Sequence, residues 1–132
     1  MPTRRCIVDS EGGPVTVRLM ANNLLRAGAD FLLEDADGEE RESWKMTAGI
    51  EGESDEELDP PPGSLAGNVM AWEILVCSPD GRIDHGDVDI QVLQRGVPCV
   101  MTKPAHRSLE GVPACETNKA VSIKASLGFL LG

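Results

Sequence analysis

The sequence predicts an all-β protein, an antiparallel β-sandwich or small barrel of about six to eight short strands with one long acidic loop. Three observations carry this expectation. Glycine (14) and proline (9) are frequent, so the backbone must turn often. Apolar and polar residues alternate in several short segments, the period of a strand with one buried face. No segment keeps a helical period for three turns. A chain of 132 residues suits a single sandwich domain spanning 1–132.

The strands can be placed in order. In PVTVRLM, residues 14–20, Val15, Val17 and Leu19 share one face. Residues 22–29 read as a loop or one helical turn. Asp37-Gly38 then favours a two-residue hairpin turn, because glycine accepts the positive φ such turns need. Its flanks are residues 30–35 and 41–47, and Arg41 and Lys45 mark the second flank as an edge strand.

NVMAWEILVC, residues 68–77, is the most apolar stretch. Trp72, Ile74 and Val76 lie on one face and Ala71, Leu75 and Cys77 on the other. Both faces read as buried, which places this strand centrally. Residues 78–81, SPDG, form a turn. Val88, Ile90 and Val92 then alternate with Asp89 and Gln91, and Arg95-Gly96 turns the chain into an arm over residues 97–102. Val121, Ile123, Ala125 and Leu127 define the last strand.

Between these strands lies EGESDEELDPPPG. Glu51, Glu53, Asp55, Glu56, Glu57 and Asp59 repel one another, and Pro60, Pro61 and Pro62 cannot join a sheet interior. Residues 49–67 are therefore expected to be a solvated, acidic, Pro-rich loop within the domain. Residues 51–62 are expected to be mobile and dispensable for folding.

Charge narrows the function. The net charge of −10 leaves no basic face to displace counterions from phosphate, so nucleic acid and anionic membrane surfaces are not expected partners. Two Trp, two Phe and no Tyr weaken any base- or sugar-stacking role. Neither a secretory signal nor a long apolar run is visible, so the expected location is cytoplasmic. The four cysteines, Cys6, Cys77, Cys99 and Cys115, then read as free thiols, whereas an oxidising compartment would allow three pairings.

Several residues carry candidate chemistry. Asp35 and Asp37 in one turn and Asp80, Asp84 and Asp87 in another would form a Ca2+ site if the two loops converged. The plainer reading is that Asp-Gly pairs turn the chain. Cys77 with His85, or Cys99, His106 and Cys115, offer soft zinc ligands, but the gaps are wider than zinc knuckles use. Cys99 or Cys115 with His106 or His85 would be a thiol dyad, and Ser108 with His106 a hydroxyl one. No nucleophile elbow or glycine-rich phosphate loop accompanies them. Residues 103–119, rich in Lys103, His106, Arg107 and Lys119, read as a connecting loop or short helix able to meet an acidic partner.

The function that fits these features is a non-enzymatic interaction or oligomerising module that binds a protein partner or itself, with no resident cofactor. A Ca2+-dependent ligand-binding sandwich is the first alternative, and a small thiol-dependent enzyme the second.

Overall fold

A computed structural model describes residues 4–49 and 53–132. Its elements run β1 (Arg5–Val8), β2 (Val15–Ala21), β3 (Arg26–Glu34), β4 (Glu40–Ala48), β5 (Ser54–Glu57), β6 (Val69–Cys77), β7 (Gly86–Gln94), β8 (Val97–Pro98), β9 (Val100–Met101), β10 (Ala105–Leu109) and β11 (Val121–Leu131). Two short 3-10 turns, Pro62–Ser64 and Cys115–Thr117, interrupt the connections. The strands form two sheets, ordered β4-β3-β6-β11-β1-β9 and β10-β7-β2-β5, with β8 beside β7. The inward residues of both sheets make one continuous core, so the architecture is the expected β-sandwich.

The alternating segments behave as their pattern dictates. β2 buries Val15, Val17, Leu19 and Ala21 and leaves the residues between them half-exposed. β6 pairs with β3 on one side and β11 on the other, and turns Met70, Trp72, Ile74 and Val76 into the core. Its opposite face is less covered than its sequence suggests, with Leu75 left 47% exposed. β4 is an edge strand, as its charges imply.

Turn chemistry explains two connections. Arg95 and Gly96 both have positive φ (51° and 77°), and Gln94 pairs with Val97, which defines a two-residue hairpin turn. At Asp37-Gly38 the hairpin forms with one residue more than expected. Asp35 N–H donates to Glu39 O (2.8 Å), and Gly38, at φ 82°, supplies the left-handed position of a three-residue turn. The carboxylate of Asp35 accepts the N–H groups of Asp37 and Glu39, and this favours the longer turn.

Five further expectations are corrected. The strand count is eleven among the described residues, because β1, β5, β8, β9 and β10 are too short for periodicity to reveal. The sheet is not wholly antiparallel, since β1 runs parallel to β11. The arm after Gly96 splits: β8 stays with β7, and past Cys99 the chain crosses to the other sheet as β9 beside β1. Residues 103–119 are not one loop, because β10 pairs with β7.

The acidic segment is the fifth. Ser54–Glu57 forms β5 on β2, and Leu58 and Leu65 are buried, so residues 54–65 pack against the core. Glu51 lies outside the described residues.

Cross-strand charge pairing makes the acidic edge tolerable. Arg18 sits directly opposite Asp55, with Nε 2.7 Å from Oδ1 and a second hydrogen bond to Oδ2 at 3.0 Å. These bonds hold the Asp55 carboxyl below its ordinary range. Its contribution is therefore present above the unfolded-state pKa of about 4, and is lost as pH falls through the lower folded value. Both side chains keep contact with water, so a double-mutant cycle (Arg18→Ala, Asp55→Ala) should give about 0.5–1 kcal/mol of coupling at pH 7. That coupling should vanish in strong acid. Coupling that survives acid unchanged would show that the pair is not ionic.

Candidate functional site

Three features of the described residues carry chemistry: a polar centre on one sheet, an apolar strip on the other, and two cysteine pairs.

The polar centre forms where β7 leaves the loop before it. Asp87 lies opposite Ser108 of β10, and Asp89 opposite His106. Alternation turns all four side chains to the solvent face, since Val88 and Ile90 between them are buried. Ser108 Oγ donates to Asp87 Oδ1 (2.8 Å), and Asn22 Nδ2 donates to Asp87 Oδ2 (3.2 Å). His106 Nε2 lies 3.4 Å from Asp87 Oδ1. These partners, Ser108 first, then Asn22 and then His106, lower the Asp87 carboxyl's affinity for a proton. Asp89 is shifted upward, because burial disfavours its charged form.

Asn22, Asp87, Asp89 and His106, together with Glu53 and Met20, line a depression of about 310 Å3. Its chemistry is that of a held carboxylate. Nucleophilic activation needs histidine between the acid and the hydroxyl, whereas here Asp87 is the shared partner of both Ser108 and His106. The Ser108–His106 dyad is not assembled.

The proposed Ca2+ residues do not converge. β3 and β6 pair with Glu34 opposite Val69 and Arg26 opposite Cys77. The Asp35/Asp37 turn therefore leaves the sheet at one end of β6, and the Asp80/Asp84 loop leaves at the other. Nine residues of strand separate them, about 27 Å. Each carboxylate has a local task. Asp35 caps its own turn, Asp80 accepts the Arg82 N–H, Asp84 lies 3.4 Å from His85, and Asp87 belongs to the β7–β10 centre. Asp37 is exposed at the tip of its turn. Among the described residues no group of three or more metal-ligating side chains is brought together.

The thiols also depart from expectation. Cys77 and Cys115 form a disulfide that ties the end of β6 to the Cys115–Thr117 turn. This removes both from any zinc or nucleophile role. Cys6 is buried and Cys99 half-buried against the core, while His106 stands on the outer face with Asp87. The Cys99–His106 dyad is not formed either.

What sequence reading missed is an apolar strip. Val100 pairs with Ile7, and Ile7 pairs with Leu130, so three apolar side chains form one row across β9, β1 and β11. They are 68%, 37% and 43% exposed. Val97 and Leu131 are exposed as well, and Ile7, Val97, Val100, Asp9 and Arg95 border a common groove. The only signal in the sequence was the unbroken apolar ending FLLG, residues 129–132, where polar alternation stops. No helix among the described residues is long and apolar enough to cross a membrane. The chain matches no family model, no curated protein and no solved structure.

Proposed function

We propose that this protein is a non-enzymatic interaction module that associates with a second copy of itself through the Val100–Ile7–Leu130 row. The observation that carries this reading is the row itself. Exposed apolar side chains brought side by side by three strands are unusual on a free surface and cost little to desolvate.

Charge supports the same occupant. A net −10 makes two copies repel, so association must use a face away from the acid-rich strands β5 and β7. The row lies on the other sheet. Its groove is bordered by one acid and one base, Asp9 and Arg95. A two-fold arrangement sets Asp9 of one copy toward Arg95 of the other. The Cys77–Cys115 bridge supports an oxidising compartment in place of the cytoplasm.

The test is sedimentation velocity over a concentration series, comparing the wild type with Val100→Asp/Leu130→Asp. Both positions are exposed, so the variant should keep the wild-type melting temperature within about 3 °C. The wild type should show concentration-dependent dimers and the variant only monomers. A wild type that stays monomeric at every concentration, or a variant that dimerises equally well, would remove this reading.

A further inference from the structure

The groove beside the apolar strip has one thiol, Cys99, in its wall, and a second, Cys6, is buried on the same face of the neighbouring strand. β1 and β9 are antiparallel, with Cys6 opposite Met101 and Ile7 opposite Val100. Cys99, one residue before Val100, therefore faces the same way as Cys6, one diagonal step along the ladder. Both sulfurs turn inward: Cys6 is fully buried, and Cys99 packs on the core while also bordering the groove. Each thiol lies close enough to shift the other's affinity for a proton. Cys99 Sγ also lies 3.6 Å from Gln94 Oε1.

We propose that Cys6 and Cys99 are a dithiol oxidation site, converted by a small-molecule disulfide of the glutathione class into a second intrachain bridge that staples β9 to β1. The two residues have unequal roles. Cys99 reaches the groove, and its affinity for a proton is lowered by the neighbouring Cys6 thiol. The same interaction, reinforced by burial, keeps the proton on Cys6. The thiolate is the attacking form, so Cys99 reacts first.

Its sulfur attacks one sulfur of the small disulfide, forming a Cys99 mixed disulfide and releasing one thiolate, which takes up a proton. Cys6 then gives its proton to solvent and attacks the Cys99 sulfur, expelling the second thiolate, which is protonated in turn. Two protein thiols are oxidised, one small disulfide is reduced to two thiols, and no other electron acceptor is needed.

The site has a structural consequence. β9 is held to β1 by a two-residue ladder, and it is the strand that carries Val100. A bridge from Cys6 to Cys99 fixes this edge covalently, whether or not the chain dimerises. The inference is therefore independent of the association proposed above.

The experiment treats the folded protein, with Cys77–Cys115 intact, with glutathione disulfide. Remaining thiols are then blocked, and the protein is digested without reduction for mass spectrometry. The expected product is a Cys6–Cys99 linked peptide with no retained glutathione. Alkylation of Cys99 should be lost, and the melting temperature should rise by roughly 5 °C or more and fall back with reductant.

Cys99→Ala, at a half-buried position, should show no rise. Cys6→Ala should instead trap glutathione on Cys99 as a stable adduct. A Cys99 that remains fully alkylatable, a wild type that stops at the glutathione adduct, or a bridge between two chains through Cys99 would each overturn the proposal.

Discussion

Trp72→Ala is expected to destabilise the protein by about 3–5 kcal/mol. The side chain is 5% exposed and stands in the middle strand of the larger sheet, opposite Phe31 of β3 and Ala125 of β11. Its ring centre is 6.2 Å from that of Phe31, which in turn stacks on Trp44 at 5.1 Å. The Arg4 guanidinium lies 5.7 Å above the Trp72 ring and is held there by the carbonyls of Lys103 and Ser126. Truncation removes the largest apolar surface at this point and leaves a cavity that rigid strands on both sides cannot close.

The same change strips Arg4 of the ring that covers it. Urea unfolding followed by circular dichroism measures the loss. A cost below about 1 kcal/mol would show that the strands relax to fill the space. Iodide should quench Trp44 more readily than Trp72, since Trp44 is only half-buried.

Cys115→Ser is expected to cost a similar amount. The Cys77–Cys115 bridge closes a separation of 38 residues, and loop-closure entropy for that length is worth about 4 kcal/mol. The bridge also supports local order: Ser78 N–H donates to Pro113 O (2.8 Å), and Cys115 N–H donates to Ser78 O (2.9 Å). Against a total stability of roughly 5–15 kcal/mol, losing the bridge removes a large share.

The melting temperature should drop by about 10 °C or more. Cys77→Ser should match it, because each substitution breaks the same bond. An unchanged melting temperature in either variant would mean that residues 78–115 are already held by other contacts.

How much of this was legible in advance depends on the length of each element. β2, β6, β7 and β11 each carry at least seven residues of alternating or apolar pattern, and all four were visible, whereas β3 was expected only from residue 30 and its first four residues, 26–29, were read as loop or helical turn. The edge position of β4 followed from Arg41 and Lys45. β5 was hidden because SDEE has no apolar period. It exists because Arg18 of β2 waits opposite Asp55, a partner 37 residues away that no local window contains.

The candidate sites divide along the same line. Asp35, Asp37, Asp80 and Asp84 were correctly seen as acids in connecting turns and loops, whereas Asp87 lies in β7. Whether two turns meet depends on the β3–β6 register, which sends them to opposite ends of the sheet. Ser108 and His106 were noticed together, but their shared partner Asp87 became apparent only when β10 paired with β7.

By itself the sequence determined the class of fold, the inward residues of the long strands and the places where the chain must turn. Those properties are local, set by alternation and by residues that accept positive φ. Tertiary structure alone decided which strands are neighbours. That choice joined Cys77 to Cys115, brought Cys6 to Cys99, gathered Asn22, Ser108 and His106 around Asp87, and lined up Val100, Ile7 and Leu130. Each of these contacts joins residues at least 19 positions apart in the chain, and only the packing of two whole sheets selects among the pairings that local pattern allows.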